Sequence, residues 1–128
     1  MTGNGSRIRS ISAITLMVFD MSRSFHFYTS LGFEVSYGGP EAGFSSLRVG
    51  DQFLNLMLDS EPTDRGRWGR VIFYVDDVDA TYRTAIDSGC SPENAPRDAD
   101  WGERYFHLDD PDGHRLSFAR PLRSVGRH

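Results

Sequence analysis

One stretch of this chain is written twice. Val18-Phe19-Asp20-Met21, followed by Phe25, Tyr28 and Gly32, is echoed by Val75-Asp76-Asp77-Val78, followed by Tyr82, Ala85 and Gly89, at a constant offset of 57 residues (77 minus 20). Each copy ends a strand, offers an Asp to cap a helix, spaces apolar residues as a helix does, and stops on a Gly. A duplicated strand–helix unit predicts two similar halves about a pseudo-twofold axis, with a cleft between them. The functional residues are then expected on the strands that line this cleft.

The rest of the chain extends each copy in the same way. Ile11 to Val18 is rich in β-branched residues and reads as a strand, and the helix after Asp20 buries Met21, Phe25, Tyr28 and Leu31. Strands follow at Phe33–Tyr37, Gly43–Val49 and Gln52–Leu58, the last two joined by the turn Gly50-Asp51. A polar connector, Glu61 to Gly69, separates the halves. The second half opens with Arg70–Val75, and its helix buries Val78, Tyr82 and Ala85. Ser91 to Asp100 reads as irregular because Pro92 and Pro96 interrupt it, and a hairpin joins Arg104–Leu108 to Arg115–Ala119 across Asp110-Pro111-Asp112-Gly113. The expected fold is α+β, β-α-β-β-β twice over. It comprises a flexible tail at residues 1–10 and one domain at 11–122, with halves 11–60 and 70–122.

Composition removes several chemistries. All 14 basic residues are Arg, so Schiff-base and lysine general-base mechanisms are excluded. Cys90 is the only cysteine, which rules out an internal disulfide and a thiolate metal cluster; its place after Gly89 suggests a small buried residue at a helix end. The net charge of −4 and the lack of an Arg stripe argue against nucleic acid. No apolar run approaches the roughly 20 residues of a membrane span, and no leader precedes the first strand, so a cytoplasmic protein is expected.

Two sets of residues resemble a known family. Asp20, Ser24, Phe27-Tyr28 and Leu31-Gly32-Phe33 in the first half, with Val75-Asp76-Asp77-Val78 and Asp110-Pro111-Asp112-Gly113-His114 in the second, are similar to the glyoxalase/bleomycin-resistance/dioxygenase superfamily, the vicinal oxygen chelate proteins. The resemblance runs from about Ile11 to Leu122. It implies a curved mixed sheet bearing a cleft, and, in the family's enzymes, four metal ligands of His, Gln or Glu type. The matching positions here are Ala13, Asn55, Arg70 and Ser117. Ala13 has no donor atom, Asn55 offers a neutral carbonyl, Arg70 is a permanent cation, and a neutral Ser117 is a poor ligand. No metal and no other cofactor is therefore expected. The segment Asp100-Trp101-Gly102-Glu103-Arg104 resembles the metal-free bleomycin-resistance branch, which implies binding of a planar, often cationic antibiotic. The same resemblance implies a homodimer whose subunits complete one another's clefts, with pairing of the two halves inside one chain as the alternative.

Period-two alternation places the neighbours of the four vacated positions. Asn55 shares a face with Phe53 and Met57, Arg70 with Ile72 and Tyr74, and Ser117 with Arg115 and Ala119. Phe53, Met57, Ile72 and Phe118 read first as core. Candidate ligand-binding residues are Tyr37, Phe44, Asn55, Met57, Trp68, Arg70, Tyr74, Trp101, Tyr105, His107 and Ser117. A buried Arg70 needs a counter-ion, for which Asp59, Glu103 or a ligand carboxylate or carbonyl are the options. Three functions follow, in order of preference: sequestration of a planar ligand, metal-independent acid–base catalysis by His107 or Tyr105 beside Arg70, or a metal-dependent lyase or dioxygenase with displaced ligands.

Overall fold

The duplicated segments fold alike. A computed structural model, describing residues 6–7, 9–59 and 70–122, shows β1 (Ala13–Val18), α1 (Met21–Ser30), β2 (Glu34–Tyr37), β3 (Phe44–Val49) and β4 (Gln52–Leu58) in the first half. The second has β5 (Arg70–Tyr74), α2 (Val78–Asp87), β6 (Arg97–Asp98), β7 (Glu103–Asp109) and β8 (Arg115–Pro121). The Asp20 carboxylate accepts from the Arg23 N–H at 3.1 Å and that of Asp77 from Ala80 N–H at 3.0 Å. Both helices then close on a left-handed glycine, Gly32 at φ 107° and Gly89 at φ 88°. The next N–H returns to the last turn in both, Phe33 to the Tyr28 carbonyl and Cys90 to that of Ala85. Among the described residues no helix is long and apolar enough to cross a membrane.

Each half builds its own four-stranded mixed sheet, in the orders β1-β4-β3-β2 and β5-β8-β7-β6. β1 runs parallel to β4 and β5 parallel to β8; the other pairs are antiparallel. The stretch read as irregular, its prolines limiting any long strand, contains only the two-residue β6 among the described residues, where Arg97 and Asp98 pair with Tyr105 and Arg104. Pro96, which has no N–H to give a ladder, stands immediately before it. One face of each sheet is apolar and buried. Leu16, Val18, Leu47, Leu54 and Leu56 of the first half join Val71, Phe73, Phe106, Leu108, Leu116 and Phe118 of the second in a single core, with Tyr28 and Ala85 from the helices.

The β7–β8 turn locks the halves together. The Tyr28 hydroxyl donates to Asp110 Oδ2 at 2.7 Å, while the N–H groups of Asp112 and His114 donate to Asp110 Oδ1 at 2.9 and 2.8 Å. Asp112 Oδ1 accepts from Phe19 N–H and Arg23 Nη2, and its Oδ2 from Ser24 Oγ at 3.0 Å. The His114 ring donates from Nε2 to the Met17 carbonyl at 2.8 Å. Burial outweighs these donors at Asp110, whose pKa is raised. Desolvation, then the adjacent carboxylate, also drives Tyr28 well above the usual phenol value. The residues that most resemble the family are therefore largely those that clamp one half on the other.

Candidate functional site

Alternation on three strands of the second sheet assembles the site. Val71 and Phe73 on β5, Phe106 and Leu108 on β7, and Leu116 and Phe118 on β8 point into the core. Arg70 and Ile72, Glu103, Tyr105 and His107, and Ser117 and Ala119 consequently share the opposite face, where with Trp101 they line a cavity of about 240 Å³. Strand register sets His107 opposite Ser117 and Tyr105 opposite Ala119.

A guanidinium forms the cavity's polar centre. Arg70 Nη1 lies 2.6 Å from His107 Nδ1 and 3.0 Å from Ser117 Oγ, and Ser117 Oγ is 2.7 Å from the same ring nitrogen. Arginine only donates, so His107 Nδ1 must accept, and the ring is neutral with its proton on Nε2. Burial first, and the Arg70 charge second, lower the His107 pKa and favour that neutral form. The counter-ion expected for Arg70 is not Asp59 or Glu103. Its partners among the described residues are a histidine and a serine, because β7 and β8 bring those two side chains beside the start of β5.

Aromatic rings make one wall. The Trp101 and Tyr105 centroids are 5.3 Å apart with planes at 35°, and Tyr105 and His107 are 4.8 Å apart at 47°. Arg97 Nε donates to the Tyr105 hydroxyl at 2.8 Å, and its guanidinium carbon lies 5.5 Å from the ring centroid. At the rim, Glu103 accepts from Trp101 Nε1 at 3.0 Å and from the Tyr74 hydroxyl, a contact that raises the Tyr74 pKa. Glu103 and His107 lie on the same face of β7 and both line the cavity.

Five of the expected residues, Arg70, Trp101, Tyr105, His107 and Ser117, line this cavity, and Tyr74 stands on the same face with its hydroxyl tied to Glu103. The remaining described candidates are elsewhere. Tyr37, Phe44, Asn55 and Met57 belong to the first sheet, where Tyr37 and Phe44 are 6.3 Å apart as rings and Asn55 Nδ2 donates to Thr15 Oγ1 at 3.3 Å. Trp68 lies outside the described residues. The cleft expected between the halves is thus, among the described residues, a cavity on the second sheet alone. A smaller hollow of about 140 Å³ does straddle the seam at Ile14, Phe53, Val71 and Phe73, but none of Asn55, Arg70 or Ser117 reaches it. Ile72 and Met57, read first as core, are 58% and 40% exposed, because nothing in the described chain covers these faces; Phe118 is core as expected. Sequence reasoning put Ile72 and Ala119 on the faces of Arg70 and Ser117 without counting them, or Glu103, among the ligand-binding residues, and it missed Arg97 as the Tyr105 partner. Period-two alternation puts Glu103, Tyr105 and His107 on one face of β7, a signal that would have found Glu103.

A broader groove of about 440 Å³ lies beside the C-terminal ends of the two helices, near His26, Cys90 and Asp109. Burial raises the pKa of the Cys90 thiol, opposite to what a nucleophile needs. The residues at the family's metal positions do not fit a metal. Ala13 offers no ligand, the Asn55 amide is turned to Thr15, and the Arg70 guanidinium fills the space beside His107 and Ser117. Among the described residues no three His, Cys, Asp or Glu side chains converge.

Fold and site together define a paired βαβββ protein with a ring-lined cavity on one open sheet. The family model of the Glyoxalase/Bleomycin resistance protein/Dioxygenase superfamily matches residues 10–118, and the chain belongs to that superfamily. An uncharacterized Mycobacterium bovis protein is 41% identical over 51 residues, 40% of this chain and 34% of its own length, so the match spans about a third of that relative. The solved structure of SMU.1112c is 28% identical with a TM-score of 0.74, covering 89% of this chain and 100% of that one. A bleomycin-binding protein solved with bleomycin is 25% identical with a TM-score of 0.70, covering 88% and 98%.

Proposed function

We infer that this chain is a small-molecule binding protein that holds a planar or aromatic, antibiotic-like ligand in the second-sheet cavity and acts by sequestration, without a metal. The observation that carries the reading is the Arg70–His107–Ser117 cluster beneath the ladder of Trp101, Tyr105 and His107. Flat rings offer stacking area to a flat guest, and a guanidinium at the base offers directional hydrogen bonds. The likeness to a bleomycin-binding protein supports a binding rather than a catalytic role. Protection by mass action needs a dissociation constant near micromolar, about −8 kcal/mol.

In this reading the domain spans residues 11–122, the protein works in the cytoplasm, and it pairs as a homodimer. Tyr37 and Met57 on the first sheet, Ile72 and Tyr74 on the second, and Trp101 in the β6–β7 turn are exposed apolar residues that a second copy would cover. A thermal-shift screen of chemically diverse planar compounds, followed by titration against Arg70→Ala and Trp101→Ala, tests the proposal. Hits weakened by both substitutions are expected. An absence of hits, or hits indifferent to both changes, would discard it.

A second reading has one observation in its favour. Ser117 Oγ lies 2.7 Å from His107 Nδ1, a distance at which the imidazole can draw on the hydroxyl's proton. Turnover of a bound compound that is lost in His107→Gln while binding persists would favour that reading.

A further inference from the structure

We propose that the cavity selects an anionic planar ligand, an aromatic carboxylate or a group of the same charge and shape, and rejects a cation. The inference rests on the binding role assigned to this cavity and adds the sign of its guest.

The acidic group is already spent. Both oxygens of Glu103 accept hydrogen bonds, one from Trp101 Nε1 and one from the Tyr74 hydroxyl, so the carboxylate that lines the cavity among the described residues is already engaged within the fold. The strongest acceptor at the base is spent too. His107 Nδ1 faces Arg70 and Ser117, which leaves the ring with a donor, Nε2–H, and no partner for it among the described residues. Arg70 uses Nη1 alone in those contacts. Its other N–H groups have no hydrogen-bonding partner, and it has no ion-pair partner, among the described residues. The remaining polar capacity is therefore mostly that of donors.

Charge points the same way. Arg70 is in register with Arg115 on the adjacent strand, a like-charged juxtaposition that is unfavourable unless answered. Glu93, 3.8 Å from Arg115, and Asp109, its partner on β7, answer Arg115, while Arg70 has no ion-pair partner among the described residues. Arg97 adds a second positive group behind the Tyr105 ring. A carboxylate meeting the free side of Arg70 gains charge-assisted hydrogen bonds, whereas an ammonium would face a guanidinium, with Glu103, the acid among the described residues of the lining, already engaged by two donors. The net charge of −4 belongs to the surface as a whole and does not describe this cavity.

Three probes of one shape and different charge test the idea: 2-naphthoate, 2-naphthamide and 2-naphthylmethylammonium, titrated calorimetrically into the full chain. The expected result is that naphthoate binds at least tenfold more tightly than the other two. Its affinity falls with added salt, and Arg70→Gln brings it down to that of the amide while Arg70→Lys keeps part of the preference. Salt dependence in the unaltered protein keeps the test decisive should Arg70→Gln not fold. Equal affinities, or a preference for the ammonium, would overturn the charge assignment and leave the aromatic cavity standing as a binding site. Failure of all three to bind at millimolar concentration would overturn the binding role with it.

Discussion

Tyr28→Phe removes one oxygen from the clamp between the halves and should destabilise the fold measurably without touching the cavity. Tyr28 is fully buried, and its hydroxyl gives Asp110 Oδ2 a 2.7 Å hydrogen bond across 82 positions of sequence. Phenylalanine refills the ring's space, so no cavity opens and the cost is the lost bond to a charged acceptor, about 1.5–3 kcal/mol. For a chain of this size that corresponds to a fall in Tm of about 5–15 °C. The loss should also depend on pH. Burial raises the Asp110 pKa and the Tyr28 hydrogen bond partly offsets that rise. Deleting the bond lets the folded-state pKa climb further. A carboxyl that holds its proton more tightly when folded loses stability as pH rises above its ordinary value of 3.8. The variant loses more than the parent over that interval, so the difference between them should be smaller at pH 4 than at pH 7. Chemical denaturation at both values measures it. A change under about 0.5 kcal/mol, or one that is flat with pH, would refute the view that this buried pair ties the halves together.

Other outcomes follow from the same structure. His107→Gln should flatten the acid limb of the stability curve: the folded ring has a lowered pKa, so below 6.5 the unfolded chain takes up protons that the folded one refuses, and stability falls with pH through that window in the parent. Denaturation midpoints between pH 5 and 7 for both proteins check this. Gly38→Ala should cost about 2–4 kcal/mol, because Gly38 has φ +84° and an added Cβ would sit 2.5 Å from the Phe44 carbonyl oxygen; a thermal melt within 2 °C of the parent would contradict it. Asp20→Ala and Asp77→Ala should each cost about 1 kcal/mol and agree within error, since the two caps share one geometry; unequal losses in urea titrations would break the equivalence.

The repeat was legible because its signals are local. Asp20 and Asp77 cap helices, and Gly32 and Gly89 end them, through contacts spanning a few residues. Alternation likewise put Arg70, His107, Tyr105 and Ser117 on the cavity side of their strands. The partner of Arg70 was not legible, since it depends on how far β7 and β8 slide past β5, and that register is fixed by the whole sheet. The exposure of Met57 and Ile72 was misread for a related reason: an apolar residue on a strand looks like core whether or not another layer arrives to cover it. Ser24, Tyr28, Asp110 and Asp112 carried the family resemblance, yet their role as a clamp rests on pairs more than 80 positions apart. No spacing rule reveals such pairs.

The account turns on a guanidinium standing where the family's enzymes place a metal ligand. The most direct measurement is calorimetric titration of a cavity ligand, found by the planar-compound screen, into protein dialysed against a strong chelator and into protein supplied with zinc, manganese or iron(II). The account predicts one affinity under every condition, and a loss of at least tenfold in Arg70→Ala. Binding that disappears with the chelator and returns with a divalent ion would contradict it.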